Sequence, residues 1–197
     1  MSRTKKREPS SAQLIQKALL ELLQKKSYDT IPIYEICAQA AVSRNTFYRL
    51  YHTKDDALEA LIKSRLQLST TEYEKSRITS FQQIDHAEVK NVYITHYRFW
   101  KTQETFLTIL SKRGLFHHFV RLSPHLLETP SSDELLKTYC FDDNTISVSY
   151  FKTWLAVGLS MLLEQWTLHK FQQTPEEMAD LTLKNFFIMG QIGNSIL

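Results

Sequence analysis

Apolar residues recur at three- and four-residue spacing along most of the chain, and the strict alternation of a half-buried strand is nowhere sustained. Leu14, Ile15, Ala18, Leu19, Leu22 and Leu23 form one wide apolar face of a helix over 11–26. Ile33, Ile36, Cys37 and Ala40 mark a short helix, and Phe47 and Tyr51 mark the inner face of another. A longer helix follows Thr53, with Ala57, Leu58, Leu61, Ile62 and Leu66 as its apolar positions. Further on, Val89, Val92, Tyr93, His96, Tyr97 and Trp100 stripe a helix over 85–101. Shorter helices are predicted over 102–110 and 115–127, broken near Gly114 and stopped by Pro124 and Pro130. The stretch 145–170 is apolar almost all round, and a last helix carries Met178, Leu181, Leu183, Phe186, Phe187, Met189 and Ile192. Residues 72–83 read as a helix end plus loop, and 128–144 as a loop. The expected class is all-α, a three-helix head followed by a larger helical body.

Local punctuation agrees with these helices. Ser10 or Ser11 opens the first, and Lys25 and Lys26 suit its carboxyl end. Ser43 is a good N-cap, because its hydroxyl can accept from an orphan backbone N–H. Thr53 and Asp56 resemble a capping box, and Thr174 with Pro175 suits the start of the last helix.

The informative surface lies between residues 33 and 54. Two short helices meet at Ala41 and Val42, and the second presents Arg44, Asn45, Tyr48, Arg49 and His52 on one outward face. That face carries no acid. Guanidinium, amide, phenol and imidazole groups hydrogen-bond base edges and phosphate oxygens. A short helix with such a face, braced by another, is the helix-turn-helix arrangement that enters a major groove. The alternative is an ordinary helical hairpin with a solvated face, but solvated faces usually mix both signs.

The run Ala40-Ala41-Val42-Ser43-Arg44-Asn45-Thr46-Phe47-Tyr48-Arg49, followed by Thr53-Lys54-Asp55-Asp56-Ala57-Leu58, resembles the DNA-binding domain of TetR-family transcriptional regulators. The match covers about the first third of the chain. The resemblance implies that Tyr48 and Lys54 grip phosphates, and that Tyr34, Ser43, Arg44, Asn45, Thr46 and Arg49 lie on the DNA-facing surface. Three positions depart from the family pattern. Ala41 stands where the family usually has Gly, and Ala in a left-handed turn should cost on the order of 1 kcal/mol. Pro32 sits where a Thr often opens the helix, and Leu50 is either a thymine-methyl contact or packing.

Charge supports a divided chain. Residues 1–54 carry ten Lys/Arg against four Asp/Glu, whereas the remainder carries 14 against 17. A basic head on a slightly acidic body suits a DNA-binding module with a separate sensor or oligomer body. The expected divisions are a basic disordered arm over 1–10, the helix-turn-helix domain over 11–56, and a regulatory and dimerisation body over 57–197. The arm's Arg3, Lys5, Lys6 and Arg7 could follow a phosphate backbone or remain a solvated tail. The helix after Thr53 joins head to body, and is the expected route for any signal between them.

A helix apolar on every side must be buried on every side. Two such helices from each of two chains would form a four-helix bundle, which is also how TetR-like proteins dimerise. Such a homodimer presents two recognition helices and predicts a palindromic, inverted-repeat operator on double-stranded DNA. Tyr97, Trp100, Phe116, Phe119 and Trp154 are candidate lining residues for a small-molecule effector pocket; each taken singly is more simply a core residue. His96, His117 and His125 lack zinc-site spacing, so no metal or cofactor is expected. Neighbouring His117 and His118 should diverge around their helix.

No phosphate loop, nucleophile elbow or Cys/His pairing points to catalysis, and the chain is expected not to be an enzyme. The most apolar stretch, 154–163, is about ten residues, against about 20 for a membrane span. With no secretory signal and only Cys37 and Cys140 as thiols, the expected setting is a reducing cytoplasm. The reading is a TetR-type regulator, and the resemblance implies a repressor acting by promoter occupancy and released by a small-molecule effector. Its rivals are a co-regulator acting through a protein partner and a helical ligand-binding or enzymatic protein with an incidental helix-turn-helix.

Overall fold

The computed structural model describes residues 9–75, 86–127 and 145–196. Among them the chain forms nine α-helices and no strand. It divides into two compact units, Met1–Ser64 and Arg65–Leu197. Residues 1–8 of the expected arm, 76–83 of the expected helix end and loop, the loop over 128–144 and Cys140 lie outside the described residues, as do the side chains of Phe186, Phe187, Met189 and Ile192.

The first unit contains α1 (Ser11–Lys25), α2 (Ile33–Gln39), α3 (Arg44–Leu50) and the start of α4 (Lys54–Lys75). A 3-10 turn over Tyr28–Thr30 precedes α2. Ser10 caps α1 through a capping box with Gln13. The inward positions of α1, with Ile36, Cys37, Ala40, Phe47 and Tyr51, are buried together with Ala57, Leu58, Leu61 and Ile62. Two polar bonds fix α1 against the motif. Gln39 Nε2 donates to Glu21 Oε2 at 2.6 Å, and Gln16 Nε2 donates to the Tyr51 hydroxyl at 3.2 Å.

The second unit holds α5 (His86–Thr102), α6 (Glu104–Lys112), α7 (Phe116–Leu122), α8 (Thr145–Leu168) and α9 (Pro175–Ile196). Helix α5 packs on α9, while α8 packs on α6, α7 and the 3-10 turn Ser123–Leu127. Helix α7 stops before Pro124, and the rest of the helix expected to 127 is this 3-10 turn, whose opening tolerates a residue without an N–H. Tyr97 and Thr182 share a 2.6 Å hydroxyl–hydroxyl bond between α5 and α9. Lys90–Asp180 at 2.6 Å and Arg98–Glu176 reinforce the same pair on the surface. Trp166 stands edge-to-face on Tyr97 and Phe171, and its indole N–H donates to the Gln173 carbonyl at 3.0 Å.

Helix α8 leaves Tyr150, Trp154, Met161 and Leu168 exposed, at spacings that place them along one stripe; Leu181 on α9 is also exposed. Gly158 falls within that stripe, and a Cβ there would meet nothing within 4 Å. No helix among the described residues is long and apolar enough to cross a membrane.

Candidate nucleic-acid interface

The turn between α2 and α3 is built from backbone bonds. Ala41 N–H donates to Ala38 O at 3.2 Å and Val42 N–H to Cys37 O at 3.0 Å, the paired bonds of a Schellman motif. The residue at its hinge must be left-handed, and Ala41 has φ 52. Helix α3 then starts at once. Ser43 Oγ accepts from the Thr46 N–H at 3.0 Å and lies 2.9 Å from the Thr46 hydroxyl.

These constraints aim α3. Phe47 is fully buried, with Tyr51 edge-to-face against it at 5.7 Å, which sets the inner side. Arg44, Asn45, Tyr48 and Arg49 are exposed, as is Tyr34 on α2 at 64 %. No acid lies on α3. Ser43 and Thr46 sit at the same end, with their hydroxyls engaged in the cap. Leu50 is 40 % exposed, and at 100° per residue it lies about 200° round the helix from Tyr48. It flanks the polar surface rather than joining it.

The first turn of α4 is held just as firmly. Asp56 Oδ2 accepts from the N–H groups of Thr53 at 2.8 Å and His52 at 3.0 Å, while Thr53 Oγ1 accepts from Asp56 N–H. The Thr53 backbone N–H foremost, and then the Thr53 hydroxyl and His52, hold the Asp56 carboxyl below its ordinary value. Lys54 turns inward. Its ammonium donates to Tyr28 O at 2.7 Å and Ile31 O at 3.0 Å, and lies 4.2 Å from the centre of the Tyr28 ring. The Tyr28 hydroxyl donates to Asp55 Oδ1. Sequence spacing carried no signal for this cluster, because its partners are 23–27 residues apart.

The expected effector-pocket residues separate. Tyr97, Trp100, Phe116 and Phe119 are buried, with Phe119 edge-to-face on Trp100 at 5.0 Å and tilted on Phe116 at 5.3 Å. Trp154 is 48 % exposed on α8. Phe116 alone of the five lines an open groove of about 470 Å³, together with Gly114, His117, Val120, Arg121, Met161 and Glu164. His117 and His118 do not diverge as expected; their rings approach to 4.1 Å, and His117 Nδ1 lies 2.9 Å from Gly114 O. His96 Nε2 and Trp100 Nε1 are buried without a hydrogen-bond partner. Among the described residues, no group of three or more His, Cys, Asp or Glu is placed to hold a metal ion.

Solved structures give the fold its context. A TetR-family transcriptional regulator from Syntrophomonas wolfei aligns over 88 % of this chain and 91 % of its own, with TM-score 0.61 and 18 % identity. The fold is that of the TetR-type regulators. FadR from Bacillus halodurans, a fatty acid degradation regulator, aligns over 89 % of this chain and 93 % of its own, with TM-score 0.55 and 14 % identity. DhaS, a dihydroxyacetone kinase operon activator, covers 92 % and 97 %, with TM-score 0.56 and 15 % identity. All three of these neighbours are regulators by name. No family profile matches the sequence, and no curated protein sequence matches it.

Proposed function

We propose that this chain is a sequence-specific DNA-binding regulator of TetR type. The observation that carries the reading is the acid-free face of Arg44, Asn45, Tyr48 and Arg49, presented by a capped helix that a second helix braces. Arginine and asparagine at such positions read base edges, while Tyr48 and the Ser43–Thr46 end suit phosphates. Tyr34, on the neighbouring helix, extends the same surface.

The working form is a homodimer closed through α8 and α9. Supporting it are the exposed stripe Tyr150, Trp154, Met161 and Leu168 and the bare surface at Gly158. Two recognition helices related by a two-fold axis read an inverted repeat. The proposed setting is the cytoplasm, and the proposed outcome is repression by promoter occupancy, relieved when an effector favours a body conformation that spaces the heads wrongly. The fold relative DhaS is an activator by name, so a reporter fused to the promoter bound in the cell sets the sign.

The test is selection from a randomised duplex library at moderate salt, with sequencing of the bound fraction. The expected result is an enriched inverted repeat, with Arg49→Ala relaxing preference at one position of each half-site. Enrichment of no motif by the wild-type protein overturns the reading.

A further inference from the structure

We propose that Lys54 serves DNA binding as a positioning residue, clamping the Tyr28–Ile31 segment that launches α2 instead of gripping a phosphate. This rests on the DNA-binding reading above. An ammonium has three donors, and two of those on Lys54 are committed to the carbonyls of Tyr28 and Ile31. The face of the Tyr28 ring lies beneath the same charge. Both residues holding those carbonyls are buried, Ile31 at 1 % and Tyr28 at 8 % exposure. Swinging the ammonium out to a phosphate would strip these partners from it.

Asp55 strengthens the case. It accepts from the hydroxyl of the same Tyr28 whose carbonyl Lys54 holds, so adjacent residues of α4 grip one tyrosine at both ends. The chain leaving this clamp passes through Ile31 and Pro32, the N-cap of α2. Helix α2 in turn sets the Ala41 corner and the direction of α3. The clamp therefore fixes the pose of Arg44, Tyr48 and Arg49 without touching DNA.

The discriminating variant is Lys54→Met, which keeps the stem and removes charge and donors. Hydrogen exchange on the free protein is read at Thr30 and Ile31, whose amides donate to Ser27 O and Tyr28 O. Binding is read against a duplex selected by the wild-type protein and a random duplex of equal length. The clamp predicts faster exchange at both amides and about a tenfold loss on the selected duplex, equivalent to one hydrogen bond to a charged group. It also predicts little loss on the random duplex and an unchanged slope of log affinity against log salt. A phosphate-gripping lysine predicts unchanged exchange, equal loss on both duplexes and a slope reduced by about one per protomer; that result overturns the proposal. If Lys54→Met does not fold, the wild-type protein decides through acylation with a lysine-selective reagent. Modification of Lys54 slower than that of exposed Lys25 supports the clamp, and equal rates overturn it. Should the wild-type protein select no duplex, the DNA-binding reading falls by itself, whereas unchanged exchange at Thr30 and Ile31 in the variant removes the clamp alone.

Discussion

The Tyr28 hydroxyl donates to the Asp55 carboxylate, tying the turn before α2 to the first turn of α4. Tyr28→Phe removes that bond while keeping the ring, and should lower stability by about 1–2 kcal/mol in urea unfolding. Burial foremost, followed by the Asp55 hydrogen bond and nearby carboxylate charge, raises the Tyr28 ionisation well above its ordinary value. A raised phenol value means the folded state holds its proton longer than the unfolded chain. That contribution is complete below about pH 10, the unfolded value, and declines as pH rises beyond it. The wild-type protein should therefore lose stability above pH 10 more steeply than Tyr28→Phe does.

Ala41 occupies a left-handed position and is exposed, so its methyl group has strain to lose and little packing. Ala41→Gly should stabilise the protein by about 1 kcal/mol, despite the greater freedom glycine gives the unfolded chain. A lower midpoint for Ala41→Gly in urea would remove the claim that this corner is strained.

His96 points its Nε2 into the second unit, where burial pushes its ionisation down to about 4. The folded state thus resists the proton that the unfolded chain takes up near pH 6.5. Stability is full above that value and is lost as pH falls from about 6.5 toward 4, by roughly 3 kcal/mol at most. His96→Leu should flatten this part of the pH–stability curve, measured by urea midpoints at pH 7 and pH 4.5. An equally steep acid loss in the variant would assign the effect elsewhere.

The exposed stripe on α8 gives a prediction about assembly. Trp154→Glu puts a carboxylate on a surface that the dimer would desolvate. Light scattering should find the wild-type protein at twice the chain mass and the variant shifted toward a single chain. Unchanged helical content by circular dichroism in the variant separates a lost interface from a lost fold. A wild-type protein of single-chain mass would end the dimer reading.

Features encoded by neighbouring residues were legible in the sequence. Ser43, Thr53 with Asp56, and Thr174 each cap the helix expected of them, because the bond reaches only three residues along the chain. The buried faces of α1 and α4 follow from their periodicity. The polar face of α3 emerged for the same reason, since Arg44, Tyr48 and Arg49 share a face by spacing alone. What depends on distant partners did not emerge. The inward turn of Lys54 needs carbonyls 23 and 26 residues away. Helix α8 ends at Leu168, before the expected Lys170, because Lys170 and Phe171 turn left-handed without a glycine to announce it. Phe171 is held there by burial, against Trp166 and 4.7 Å from the Lys101 ammonium.

The alanine at the α2–α3 corner shows that what this joint demands is a backbone torsion, which a small side chain can also satisfy. Searches keyed to glycine at that step would pass over heads built like this one, whereas a comparison of dihedral angles would gather them.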